Sequence, residues 1–191
     1  MAKHRPPAPS GAKAAGTGEV VDLERYVPAF LTWIANKLAR GASQQYLSAF
    51  DVGIETWRCL VTLAVEPSVS AQQVSRQIGM DKASVSRCFK SMQAGGLITL
   101  ELSPEDGRLR IARLTKKGRA LHDQIMGIAM ERERAFLAVL SEAEQETLIG
   151  LLRRLHDNLP AVEMATEQYV ARHHPAVAKR RAAGRQEDSD E

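Results

Sequence analysis

The chain has 191 residues, 44% of them hydrophobic, which is enough for one domain of ordinary size with appendages and a real core. No apolar run approaches the ~20 residues of a membrane span, and the opening MAKHRPPAPSGAKAAGTGE is basic without the apolar stretch of a secretory signal, so the expectation is a cytoplasmic protein with no membrane partner. The formal net charge is only +3, so nucleic-acid binding has to be read from where the charges sit.

Residues 1–21 read as a disordered Pro/Gly/Ala-rich arm. From Asp22 to Phe50 the residues Leu23, Tyr26, Val27, Phe30, Leu31, Ile34 and Leu38 keep helical spacing. Pro28 either kinks this element or lies in its true first turn. A second helix runs from Ile54 to Val65 with Trp57, Leu60, Val61 and Ala64 on its face, and Pro67 stops it. Ser70 and Gln73 have capping-box spacing and open a short helix through Ile78. Gly79 breaks it, and Asp81 caps the next helix, which ends at Gly95-Gly96. LITLELS then alternates with period two, SPEDGR is a turn and LRIARLT is a second strand, which together make a β-hairpin. Thr115 starts a long helix through about Leu140. Ser141 to Glu144 is another capping box, followed by Leu148, Leu151, Leu152, Leu155 and Leu159 until Pro160. Beyond it lie a short helix over EMATEQYVARHH, a basic cluster from Lys179 to Arg181 and an acidic end. Cys59 and Cys88 both fall within apolar helical patterns, which fits reduced thiols.

The resulting fold class is mainly α with a small β-hairpin wing, a winged helix-turn-helix flanked by terminal dimerisation helices. The divisions are a 1–21 arm, a 22–53 first dimerisation region, a 54–115 DNA-binding domain, 116–160 dimerisation helices and a largely flexible 161–191 extension. The stripes on the outer helices need partners beyond the small middle domain, so a homodimer is expected.

Within DKASVSRCFKSMQAGGLI, residues 81–98, Val85, Cys88, Phe89 and Met92 fall on one side at roughly 100° per residue. Arg87 and Lys90 centre the opposite side, flanked by Ser84, Ser86 and Ser91, with Lys82 at the start. An ordinary solvated face gives the same pattern. The second helix of a helix-turn-helix, however, enters the major groove. There serines bond phosphates or base edges and cations reach phosphates or guanine. The hairpin tips the balance, because Arg108 and Arg110 edge its turn as in a wing whose arginine enters the minor groove. Asp106 is read as holding Arg108 or capping that turn. Between Ser70 and Thr115 seven basic residues oppose four acidic ones, a local excess of +3.

These pieces together resemble the MarR (multiple antibiotic resistance regulator) family over residues 23–159. The matching stretches are GIETWRCLVTL, VSRQIGMDKASVSRCFKSMQAGGLI, SPEDGRLRIARLTKKGRAL and LSEAEQETLIGLLRRL. The family's wing usually reads D-x-R or D-R-R before a strand ending in Leu-Thr and a Gly-containing helix start. Asp106, Arg108, Leu114, Thr115 and Gly118 match, while Gly107 stands where the D-R-R form has its first Arg. The resemblance implies an obligate homodimer on pseudo-palindromic double-stranded DNA, usually repressing until a small effector loosens it. It also implies that small, often aromatic anions bind where the dimerisation helices meet the winged domain, with Trp33, Asn36, Trp57 and Arg58 as the lining here. A core role for both tryptophans is the competing reading.

Other functions fit less well. No Ser/His/Asp set, paired carboxylates or phosphate-cradling loop has a readable spacing, so no enzyme and no cofactor is expected. A winged helix serving only protein contact is an alternative that salt dependence separates from DNA binding. A metal or redox sensor on the same fold is another. His122, His156, His173 and His174 have no ligand spacing and read as solvated, whereas Cys88 on the reading helix is either a small core residue or an oxidation-sensitive one.

Overall fold

A computed structural model describes residues 13–15 and 18–177, which divide into two compact units meeting at Glu131 and Arg132 in sequence. The first unit begins with strands β1 (Lys13–Ala15) and β2 (Gly18–Val20), paired antiparallel with Ala14 opposite Glu19. This hairpin lies in the arm expected to be disordered. Its ladder is made by main-chain groups, to which a Pro/Gly/Ala composition gives no clue. Residues 1–12 and 16–17 lie outside the described residues.

Helix α1 (Val27–Phe50) has Pro28 in its first turn, where no backbone donor is needed, so the proline starts the helix and does not kink it. Only Ala42 and Tyr46 of α1 are buried. Helix α2 (Ile54–Val65) buries Cys59, Leu60, Thr62 and Leu63. Strand β3 (Val69–Ser70), helix α3 (Ala71–Ile78), helix α4 (Lys82–Ala94), strand β4 (Ile98–Leu102) and strand β5 (Arg110–Leu114) complete the middle of the unit. The sheet is antiparallel and ordered β3-β5-β4, with Ile111 opposite both Ser70 and Glu101. The expected two-stranded hairpin therefore gains a third, two-residue strand. Leu60, Leu63, Val74, Val85 and Ile125 are fully buried at its core.

Helix α5 (Lys116–Leu137) ends three residues before Leu140, and the Leu140 N–H bonds back to the Leu137 carbonyl at 2.9 Å. In the second unit, α6 (Glu142–Asp157) opens on the Ser141–Glu144 capping box. Helix α7 (Leu159–His173) follows after Asn158, with Pro160 in its first turn. Pro160 therefore begins a helix where a stop was expected. The extension expected to be largely flexible is helical as far as His173; a proline is harmless at a position whose N–H has no intrahelical partner. The basic cluster and the acidic end lie outside the described residues.

Candidate nucleic-acid interface

The local chemistry of α3 and α4 fixes which face of α4 is free. The Ser70 hydroxyl accepts the Gln73 N–H at 3.2 Å while the Gln73 side chain accepts the Ser70 N–H at 2.8 Å, a reciprocal cap that satisfies two orphan donors. Gly79 closes α3 with φ +67, a backbone region in which a side chain would be strained. Ser75 Oγ donates to the Met80 carbonyl at 2.6 Å and holds the turn. Asp81 Oδ1 then accepts the Ser84 N–H at 2.8 Å and caps α4. Val85, Phe89 and Met92 are buried, so α4 is seated by its apolar side.

The outward side carries what the periodicity predicts. Lys82, Arg87 and Lys90 are exposed and Ser84 and Ser86 are half-buried. Arg87 Nη2 donates to Ser84 Oγ at 2.7 Å, and hydrogen bonds from the Ser84 hydroxyl and N–H hold the Asp81 carboxyl below its ordinary range. Asp81, Ser84 and Arg87 thus form one polar chain along the first turns of α4. Ser84 thereby positions the Arg87 guanidinium.

The wing is built by short-range bonds. The Ser103 hydroxyl accepts the N–H groups of Glu105 and Asp106 at 3.3 Å each. Asp106 Oδ1 accepts the Arg108 N–H at 3.0 Å, and the Ser103 N–H closes the loop on the Leu109 carbonyl at 2.7 Å. Of the two readings of Asp106, turn capping is the one with a bond behind it. Arg108 and Arg110 are exposed, and neither guanidinium has a hydrogen bond or ion pair among the described residues. Further along β5, Arg113 sits 3.7 Å from Glu101 across the strand pair.

Thr115 and Gly118 carry a junction that spacing alone does not reveal. The Thr115 hydroxyl donates to the Gly96 carbonyl at 2.7 Å and accepts the Gly118 N–H at 3.0 Å. Lys117 Nζ donates to the Gly95 carbonyl at 2.8 Å. A Cβ on Gly118 would lie 2.0 Å from the Leu97 carbonyl oxygen. The Gly95–Leu97 corner that ends α4 is thereby clamped to the start of α5.

The four residues read as an effector lining separate into two places. Trp57 and Arg58 line a groove of about 290 Å³ between α2 and α3, with Val61, Thr62, Val65, Gln77 and Ile78. Trp33 and Asn36 do not belong to that lining. Trp33 on α1 is 43% exposed and packs edge-on against Phe30 at 5.7 Å. Trp57 also stacks on His122 at 5.5 Å and tilts against Tyr46 at 5.9 Å. His122 is therefore buried, contrary to its reading as solvated; its Nδ1 lies 2.8 Å from Asp123 Oδ1. Among the described residues, no group of three or more His, Cys, Asp or Glu side chains is placed to hold a metal ion. No helix there is long and apolar enough to cross a membrane.

Comparisons with known proteins converge on the same part of the chain. The MarR family model matches residues 50–109. An uncharacterized HTH-type transcriptional regulator, YdgJ of Bacillus subtilis (strain 168), is 31% identical over 98 residues, covering 50% of this chain and only 58% of the relative's own length. The crystal structure of a MarR/EmrR family transcriptional regulator from Acinetobacter sp. ADP1 superposes with TM-score 0.69 at 31% identity, covering 74% of this chain and 99% of that one. Bordetella bronchiseptica BpsR, whose DNA binding is regulated by 6-hydroxynicotinic acid, shares the fold at TM-score 0.60 and 22% identity, over 68% of this chain and 98% of that one. With near-complete coverage of a 31% identical member and a winged helix-turn-helix assembled as above, the chain belongs to the MarR family of transcriptional regulators.

Proposed function

We propose that the protein is a sequence-specific DNA-binding regulator of transcription, acting as a homodimer on a pseudo-palindromic duplex. The observation that carries this reading is the outer face of α4. Arg87 is held by Ser84 at 2.7 Å, and exposed Lys82 and Lys90 accompany it on a helix anchored by a wholly apolar inner face. A helix so presented fits the major groove, and Arg108 on the wing loop supplies a second contact to the phosphates or the minor groove. The dimer is supported by exposed Leu151, Leu152 and Leu155 on α6 and by exposed Phe30, Leu31 and Ile34 on α1. Helices that leave leucines in water are normally covered by another surface.

A small-molecule effector, released from or bound to the regulator as conditions change, fits the groove beside Trp57 and Arg58. Val61, Val65 and Ile78 supply apolar walls, and Arg58 supplies a partner for a carboxylate. The effector of BpsR is an aromatic acid, and this chemistry suits the same combination of indole and guanidinium. Such a ligand represses binding only by favouring a DNA-incompetent arrangement.

The test starts from a random-sequence duplex pool, from which the full chain is used to select a tight binder. Its affinity, followed by fluorescence anisotropy, should fall steeply and log-linearly as salt rises, because each phosphate contact releases counterions. Failure to enrich any duplex, or salt-independent retention, would leave a winged helix used for protein contact. Titration with hydroxylated aromatic acids should then lower affinity for the selected duplex, and Arg58→Ala should blunt that response.

A further inference from the structure

The chain has two cysteines, and the fold brings them together from the two helices that seat the DNA-reading face. Cys59 on α2 is wholly shielded from solvent, and Cys88 on α4 is half-buried against the same core. Thr56 lies one turn before Cys59 on the same face of α2, and its Oγ1 sits 3.9 Å from the Cys88 sulfur. The face of α2 that carries Cys59 is therefore the face that Cys88 meets. One turn further along α4, Met92 Sδ receives the Cys88 S–H at 3.8 Å. Both cysteines are free thiols, Cys88 the more accessible of the two.

We propose that Cys59 and Cys88 form an oxidation site for hydrogen peroxide that closes into a reversible disulfide between α2 and the DNA-reading helix. The chemistry balances with peroxide as the sole oxidant. The Cys88 thiolate attacks one peroxide oxygen, the O–O bond breaks, and the departing hydroxide takes a proton and leaves as water, giving a Cys88 sulfenic acid. Cys59 sulfur then attacks the Cys88 sulfur. The S–O bond breaks as the S–S bond forms, and the released hydroxide takes up the Cys59 proton as a second water. Two thiols lose two electrons and two hydrogens while one peroxide becomes two waters.

The electrostatics favour this division of roles. The neighbouring Cys59 thiol, aided by Thr56 and opposed by burial, lowers Cys88 to about 7, so about half of it is thiolate at neutral pH. The Cys88 sulfur, with burial, in turn pushes the Cys59 thiol up, so Cys88 is the sulfur that meets peroxide first; the part of that shift owed to the Cys88 thiolate ends once Cys88 is a neutral sulfenic acid. An S–S bond of about 2.05 Å is far shorter than a non-bonded sulfur contact, and a close-packed core has little slack to absorb the difference. The contraction is passed to α4, moving Arg87 and Lys90 with it. That last consequence rests on the proposed DNA-binding function, whereas the disulfide does not.

The experiment treats the reduced full-length chain with hydrogen peroxide, alkylates the remaining thiols and maps peptides by mass spectrometry without reductant. The expected product is one intrachain link between the peptides holding Cys59 and Cys88, two hydrogens lighter and undone by dithiothreitol. The linked protein should bind the duplex selected by the reduced protein at least tenfold more weakly, and dithiothreitol should restore binding. In Cys59→Ala the link cannot form and Cys88 should proceed to sulfinic acid; the mapping of the unaltered chain stands even if that variant folds poorly. Recovery of Cys88 only as sulfinic or sulfonic acid in the unaltered chain, links only between chains, or two thiols still alkylated after peroxide each overturn the site. A linked protein that binds as tightly as the reduced one overturns the coupling to DNA. If the reduced protein selects no duplex at all, the functional reading fails while the mapped link still decides the oxidation site.

Discussion

Arg87 does not act alone, because its guanidinium is tied to Ser84, which is in turn tied to the Asp81 cap. Arg87→Ala and Lys90→Ala remove exposed groups above a buried face, so unfolding free energies should stay within about 0.5 kcal/mol of the parent. Affinity for the selected duplex should fall in both. If Arg87 reads a guanine, preference at one base pair should relax by about 1–3 kcal/mol; equal weakening across all single-base variants would make it a phosphate contact. The wing offers a sharper contrast. Arg108→Ala should weaken binding more than tenfold with the fold unchanged, and unchanged affinity in titration would take the wing out of the interface. Asp106 bonds the Arg108 N–H through one carboxylate oxygen. Asn keeps that acceptor and removes a negative charge from the wing loop, so Asp106→Asn should bind the selected duplex as tightly as the parent or more tightly. Asp106→Ala, which loses the turn, should bind more weakly. The Asp81 carboxyl titrates below its ordinary range, so its cap is fully present above about pH 4. The cap is lost only as pH falls through the lowered value, with no change across the neutral range.

Between elements, the junction of α4 with α5 is held by the bonds of Thr115 and Lys117 to the Gly95–Gly96 corner. A Cβ at Gly118 would meet the Leu97 carbonyl at 2.0 Å, and backbone has little freedom to retreat. Gly118→Ala should therefore cost about 1–3 kcal/mol or more by overpacking, measured by urea unfolding, although alanine is intrinsically the better helix former. A neutral or stabilising effect would mean that α5 slides freely over that corner. The sequence spells out features made by neighbours in the chain. Ser70 with Gln73, Ser141 with Glu144, Asp81 ahead of α4 and the alternation of β4 were all legible, since each depends on residues a few positions apart. Features that need distant partners were not. Strand β3 is only Val69–Ser70, and it exists because β5 passes beside it. The stack of His122 on Trp57 joins residues far apart in sequence, and so does the meeting of Cys59 with Cys88. In the same way, Trp33 and Trp57 looked like one lining because both were tryptophans on adjacent helices, yet α1 turns Trp33 toward Phe30. Pro160 misled for a local reason, since a proline ends one helix and begins another with equal ease.

At the scale of the whole molecule, the question is what covers the terminal helices. Leu151, Leu152, Leu155 and Leu159 are 40–53% exposed, and neither α6 nor α7 contains a buried residue. Fully burying an exposed leucine is worth about 1.5–3 kcal/mol and these start about half-exposed, so each has roughly 1 kcal/mol to gain, and several together outweigh the ordering cost of association only if a second surface meets them at once. The proposed homodimer would meet this need, because a second copy of the chain presents the same leucines and would make a self-complementary contact. Such a dimer would also account for one reading helix per chain, because two copies would place two such helices on half-sites about one helical turn of DNA apart. Replacing Leu152 and Leu155 with Glu in the full chain puts four carboxylates into that dimer contact while leaving the first unit, with α4 and the wing, untouched. Sedimentation velocity should show the parent as a dimer and the double variant as a monomer at micromolar concentration. The monomer should keep the circular dichroism and thermal transition of the winged unit. On a two-half-site duplex its affinity should drop to that for a single half-site, and the parent's preference for correctly spaced half-sites should vanish. Should the variant sediment as a dimer and keep its spacing preference, the leucines of α6 are not the interface, and the exposed face of α1 becomes the surface to mutate next.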